Sequence, residues 1–317
     1  MTDRIALNTQ EVAELLKVGK NTVYDLVKRG EINSYKVGRK IRFALSDVEA
    51  YIEKSKSIQS VALPPNDQES RIENQPPQID SIPNDLVICG QDIILDVLSN
   101  FIEHQSNGLR VLRAYTGSYS SLVSLYYGKV QIATAHLWDS DTGQYNVPYV
   151  RRLLPGIPTI IIHLVYRMQG FYVAKGNPKN IQTWTDLKRP DITMINREKG
   201  AGSRVLLDEN LRLLGIDSRT IKGYRRESQS HLAVASAVGR GAADVAVGNE
   251  KIARQVDHID FIPLQKERYE LVIKKEDLYL PSIQMMLEIL RSDEYKNEVI
   301  GIGGYDVSEM GNIVAEI

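Results

Sequence analysis

Apolar positions along the chain change their spacing twice, and each change marks a boundary. Near the start, Val12, Leu15 and Leu16 recur at helical intervals. They follow Asn8 and Glu11, whose spacing suits a helix-start capping pair. VGKN interrupts the pattern. A second helical run from about 21 to 29 turns Val23, Leu26 and Val27 inward and Lys20, Thr22, Tyr24, Lys28 and Arg29 mostly outward. Gly30 is a natural stop, because glycine takes the left-handed conformation cheaply. The short β-like runs SYKV and KIRF flank Gly38-Arg39 and predict a hairpin. Ser46 and Glu49 form a second capping pair before a helix carrying Val48, Tyr51 and Ile52.

Between 57 and 84 the periodicity disappears. SIQSVALPPNDQESRIENQPPQIDSIPN holds five prolines and many polar residues. Proline removes backbone donors and the polar content offers little to bury, so the stretch reads as an extended, flexible linker. The expected division is 1–56, a linker at 57–84, and 85–317.

After residue 84, apolar runs of strand length alternate with helical stretches. DLVIC (85–89), LRVLRAY (109–115), VQIATA (130–135), IPTIIIHLVY (157–166), FYVA (171–174), ITMI (192–195) and ADVAV (243–247) are the strand candidates. This alternation predicts an α/β fold with a largely parallel sheet. In such folds ligands bind beyond the carboxyl ends of strands, where helix starts present free N–H groups. The strand-to-helix turns are therefore the candidate site. They are CGQD (89–92), YTGSYSS (115–121), NREKGAGSR (196–204) and RRESQSHL (225–232). The residues they nominate are Gln91, Asp92, Ser118, Tyr119, Ser120, Arg197, Ser203, Arg204, Ser230 and His231, with His136 from the turn after VQIATA. Each serine alone suits an N-cap; several on converging turns point to a ligand cleft. Arg197 and Arg204 offer the paired planar donors that suit a carboxylate or oxyanion. Asp92 either caps its own helix or repels a dianion in the cleft.

Charge separates the two segments. Residues 1–56 hold eleven Lys/Arg against eight Asp/Glu; the rest holds 28 against 32. A basic head and an acidic body suggest different partners. A single cysteine, Cys89, rules out an internal disulfide framework and Cys-cluster zinc sites. The start has no apolar signal segment, and 157–166 is far shorter than the roughly 20 residues of a membrane helix. The expectation is a cytoplasmic protein with no membrane partner.

Catalytic patterns are missing. NREKGAGSR lacks the Lys-Ser/Thr ending of a phosphate loop and the third glycine of a dinucleotide turn. H-E-x-x-H, G-x-S-x-G and EF-hand loops are absent, and the five histidines are scattered. The expectation is a binding protein with no catalytic residues, no metal and no cofactor.

TQEVAELLKVGKNTVYDLVKRGEINSYKVGRKIRFALSDVEAYI closely resembles the excisionase-type, MerR-like DNA-binding domain. Two short helices and a basic hairpin make a winged helix-turn-helix, whose second helix enters the major groove. The expected contacts to double-stranded DNA are Lys20, Asn21, Thr22, Tyr24 and Lys28 from the helix and Lys36, Arg39, Lys40 and Arg42 from the wing. From about 86 to 310, segments such as HLWDSDTGQYNVPYVRRLLPG and NREKGAGSR resemble the periplasmic-binding-protein-like domain of bacterial regulators, similar in fold to type 2 solute receptors that include molybdate and tungstate receptors. That resemblance implies two lobes closing on a small ligand and a link to molybdenum or tungsten metabolism. Gln91 and Asp92 stand where molybdate receptors usually offer a hydroxyl, which leaves a small organic anion, carboxylate or pterin-like, as the alternative. A domain serving molybdenum-cofactor biosynthesis is a further alternative. Together the two resemblances imply a one-component transcription regulator, acting as a homodimer on paired half-sites, with an effector such as molybdate or tungstate.

Overall fold

A computed structural model describes residues 6–16, 18–28, 32–37, 40–48, 51, 85–106 and 108–317. The chain divides into two compact units, Met1–Gln75 and Pro76–Ile317.

In the first unit, helices α1 (Thr9–Leu16) and α2 (Lys20–Lys28) precede strands β2 (Tyr35–Val37) and β3 (Lys40–Ala44). The capping pair is formed: the Asn8 N–H donates to Glu11 Oε2 at 2.6 Å, and the Glu11 N–H donates to Asn8 Oδ1 at 3.2 Å. A strand that the spacing did not predict, β1 (Ala6–Asn8), pairs with β3, giving an antiparallel sheet in the order β1-β3-β2. The core is Val12, Ala13, Val23, Leu26, Ile32, Phe43 and Val48. Leu15, expected inside, is 45% exposed, and Ala13 takes the inward place. The last helix is already running at 45, one position before Ser46; Gly30, Gly38, Arg39, Glu49 and Ile52 lie outside the described residues.

The second unit is a two-lobed α/β body built on one seven-stranded sheet, in the order β12 (Val245–Asn249), β9 (Thr159–Ala174), β13 (Ile259–Lys274), β6 (Ile132–Ala135), β4 (Asp85–Cys89), β5 (Arg110–Ala114), with β14 (Ile313–Glu316) also on β9; two short pairs, β7 (Trp138–Asp139) with β8 (Gln144–Tyr145) and β10 (Asn196–Arg197) with β11 (Glu227–Ser228), lie off it. Strands β4 (Asp85–Cys89), β5 (Arg110–Ala114) and β6 (Ile132–Ala135) are parallel. The rest is antiparallel, so the sheet is mixed rather than largely parallel. The cause is a pair of 16-residue strands, β9 (Thr159–Ala174) and β13 (Ile259–Lys274), which pair with each other along most of their length. The runs expected as separate strands at 157–166 and 171–174 are thus one continuous strand. β12 (Val245–Asn249) joins β9 in the second lobe. Of the ITMI run, only Met194 makes a bridge, to Val245.

Strand side chains alternate between two cores in each lobe, because both sheet faces are covered by helices. Leu86, Ile88, Ile160 and Ile162 meet helices α3 (Ile93–Gln105), α9 (Pro281–Arg291) and α10 (Asp293–Ile302) on one face. Val87, Cys89 and Ile161 meet α4 (Ser118–Tyr126) and α5 (Val147–Leu153) on the other. In the second lobe, Phe171 and Val173 pack toward α6 (Gly202–Leu213), and Tyr172 and Ala246 toward α7 (His231–Gly239). Among the described residues no helix is long and apolar enough to cross a membrane.

Candidate functional site

Between the lobes lies a cleft with two connected parts. The outer chamber has a volume of about 620 Å³. Its inner end, reached past Gln91, Thr116, Gly117 and His231, narrows to a cavity of about 20 Å³, room for one water-sized body.

Helix starts border this inner end. Gly117 and Ser118 at the start of α4 and Ala201 and Gly202 at the start of α6 all line it. Neither helix has a side-chain cap, since their N-cap residues are Gly117 and Ala201. First-turn N–H groups have no partner within a helix and carry the positive end of the dipole. The two turns approach closely: the Tyr119 N–H donates to the Gly200 carbonyl at 3.0 Å across the lobes. Side chains would not fit between them. A Cβ on Gly117 would lie 3.0 Å from Gly200 O, and one on Gly202 would lie 2.4 Å from the His136 ring.

Two arginines hold the floor. Arg197, 2% exposed, donates from Nη2 to Gln91 Oε1 at 2.7 Å and grips Glu198 through Nε and Nη2, both at 2.8 Å. Its Nη1 has no partner among the described residues. Arg167, 6% exposed, projects from β9 over the Tyr269 ring, 4.1 Å from its centroid, and pairs with Asp92 and Glu267. The His136 ring lies 2.7 Å from Glu267 through Nδ1, and Gln169 Nε2 donates to the same carboxylate at 2.9 Å. Burial works against the charge on Glu267, but Arg167 and His136 outweigh it and hold the carboxyl down to about 2. Burial would likewise lower Arg167; its two carboxylates outweigh that and raise it. Burial, helped by Arg197, Arg167 and His136, holds His231 well below the ordinary histidine value, so its ring is neutral. His231 Nδ1 has no partner among the described residues.

The sequence-nominated residues divide into groups. Gln91, Asp92, Ser118, Ser120, His136, Arg197, Ser230 and His231 line the chamber or the inner cavity. Asp92 caps its own helix, and its charge toward the cleft is paired. Its Oδ1 accepts the Ile94 N–H at 3.1 Å as an N-cap and the Tyr305 hydroxyl at 2.7 Å, while Arg167 neutralises it. Of the four serines, only Ser230 caps, accepting the Ala233 N–H at 3.1 Å. Ser118 accepts the His136 N–H at 3.2 Å. Tyr119, Ser203 and Arg204 stand apart from both cavities. Tyr119 packs on Gly200. Ser203 is fully buried, with its hydroxyl unpartnered. Arg204 turns to the outer side of the second lobe, donating to the Arg197 carbonyl at 3.0 Å and pairing with Asp208 and Glu227 over the Tyr224 ring. Arg197 sits on a short strand, Asn196–Arg197, ahead of α6, and Arg204 in the first turn of α6, so no shared face aligns the two.

Sequence reasoning missed Arg167 on β9, Glu267 and Tyr269 on β13, and Thr134 on β6, which supply the floor. A signal was present. Arg167 and Gln169, and Glu267 and Tyr269, are polar groups two apart inside long strands, which places each pair on one face.

In the first unit, Lys20, Asn21, Thr22, Tyr24, Lys28 and Lys40 are exposed and Arg42 is half-buried. Lys36 lies on β2 and Arg39 outside the described residues.

Residues 6–56 match the helix-turn-helix domain family, and residues 99–291 match the PBP superfamily domain. The chain is 43% identical over 316 residues, the full length of both proteins, to the uncharacterized protein YvgK of Bacillus subtilis. It is 60% identical over 113 residues, 36% of this chain and all of the other, to an uncharacterized Clostridium pasteurianum protein encoded in the 5' region of a 2Fe-2S ferredoxin gene. A phosphate transporter substrate-binding protein of Clostridium perfringens, solved with phosphate, superposes with a TM-score of 0.54 at 14% identity, over 70% of this chain and 99% of that one. The OxyR C206 mutant of Corynebacterium glutamicum superposes at 0.51 and 12% identity, over 93% and 88%. At these identities the two structures speak to the fold alone. The chain belongs to the PBP superfamily domain family, and carries a helix-turn-helix domain ahead of that domain.

Proposed function

We propose that this protein is a cytoplasmic, ligand-responsive transcription regulator. Its helix-turn-helix unit binds double-stranded DNA as a homodimer, and its two-lobed body closes on an effector with an anionic group. The observation that carries the reading is the inner cavity. Uncapped helix starts from both lobes meet there, beside a buried arginine with an unused N–H. Such donors hold an anion by direction, with little need for net positive charge. An effector seated between the lobes favours the closed state by its difference in affinity for the two states. The body serves binding, and no catalytic role is assigned to its residues.

Molybdate and tungstate are the inorganic candidates, on the strength of the family likeness. An organic anion is the second reading, favoured by the chamber of about 620 Å³ that continues from the cavity. Isothermal titration of the full chain with molybdate, tungstate, sulfate and phosphate tests the first. Saturable binding of molybdate or tungstate, with rejection of sulfate, is the expected result for an oxyanion sensor. Binding of none of the four removes it. A DNA-binding assay with and without the bound anion then tests regulation; identical operator affinity in both would sink the switch.

A further inference from the structure

The walls of the outer chamber carry more than an inorganic anion needs. Three large apolar side chains stand half-exposed in it: Ile93 at 50%, Tyr115 at 61% and Leu232 at 51%. Ile93 and Leu232 belong to the first turns of α3 and α7, one from each lobe. The N-caps of these helices are polar, Asp92 and Ser230, and the apolar side chains follow them within the first turn. Apolar surface left open to water in a cleft is costly unless something covers it.

The chamber's carboxylates, by contrast, are already paired. Asp92 is paired with Arg167, Asp96 with Arg113, and Glu198 with Arg197, while Lys251 donates to the Ile302 carbonyl. A cationic group on the effector would find no unpaired carboxylate there among the described residues, so the effector's charge is negative. At the junction with the inner cavity, two buried nitrogens are unused, Arg197 Nη1 and His231 Nδ1.

We infer that the effector is an organic anion with a flat, apolar, ring-type body. Its head meets Arg197 Nη1, His231 and the helix starts. Its body lies between Ile93, Tyr115 and Leu232, which determine specificity. This rests on the reading of the cleft as an effector site and selects the organic class within it.

The test compares probes that share a head and differ in body: 1-naphthoate and acetate, with molybdate as the bodiless alternative. All three are titrated into the full chain and into the Ile93→Ser/Leu232→Ser double variant. Both positions are half-exposed, so the cores stay intact, and an unchanged Tm verifies this. The expected result is naphthoate binding at least about thirtyfold tighter than acetate. The double variant should lose at least about tenfold in naphthoate affinity and keep its acetate affinity. Naphthoate no tighter than acetate, or indifferent to the double substitution, overturns the inference. Molybdate binding without naphthoate binding also overturns it and leaves the anion site standing. If none of the three binds, the effector reading itself fails and the inference falls with it.

Discussion

Lys20, Lys28 and Lys40 of the first unit stand in solvent, whereas Arg167 and Arg197 of the second lie at 6% and 2% exposure against carboxylates. The two sets of cations answer to different physics. Exposed lysines act at a distance, are screened by salt, and attract phosphate with little regard to sequence. Buried, paired arginines have most of their charge cancelled. What remains is a few N–H groups held in fixed directions. One chain thus carries a field-based surface and a geometry-based site, and perturbations should separate them.

The largest effect is expected from Arg167→Met. It leaves Asp92 and Glu267 buried without their cation, at a cost of about 3–5 kcal/mol. Denaturant unfolding of the full chain should show the loss in the body's transition; a change below about 1 kcal/mol would mean water replaces the guanidinium. The pH dependence follows from the same group. The Glu267 carboxyl is lowered from 4.5 to about 2, so its contribution is full above pH 4.5 and is lost as pH falls toward 2. The loss should be about 3 kcal/mol across that window, read from stability against pH.

Arg197→Met comes next. It removes the unshared donor and should weaken anion binding at least about thirtyfold by isothermal titration, with operator affinity of the unliganded protein unchanged. Equal binding by the variant would move the head of the effector elsewhere. In the first unit, Arg39→Ala with Arg42→Ala should flatten the salt dependence of DNA binding, lowering the log–log slope by about 2. Effector binding should vary little over the same salt range. An unchanged slope would remove the wing from the DNA.

The smallest effect probes lobe closure. Arg212 of α6 reaches across to Asp141 at 2.7 Å, and Glu209 accepts from the Ser140 N–H at 3.2 Å. Both arginine and aspartate are at least half-exposed, so Arg212→Ala should weaken effector binding by less than about fivefold. A larger loss would make this latch, rather than the cavity, the main closure contact.

The turns were legible because an apolar run, then glycine or serine, then another apolar run leaves little else for the chain to do. That pattern located Gln91, Ser118, Arg197 and His231 on turns that converge. It did not separate Arg197 from Arg204, because their orientations depend on where α6 begins. Nor did it reveal the floor. Arg167 falls just past the apolar run 157–166, and Glu267 lies in a stretch the spacing did not nominate as a strand; only the pairing of β9 with β13 joins them, and that pairing is a long-range fact. The sheet's mixed direction was hidden for the same reason: local spacing gives strand length but not the partner.

That pairing also sets an order of events. Arg167 and Glu267 lie 100 positions apart in the chain, and Asp92 and Tyr305 lie 213 apart. The helix-turn-helix, by contrast, is made of neighbours. During synthesis the first unit can fold from the residues already made, whereas the cleft waits for β13 and then for Tyr305. A growing chain therefore gains its grip on DNA before it gains its sense of the effector. On the proposed function, a product cut short before β13 would keep the DNA-binding unit and lack the receiver.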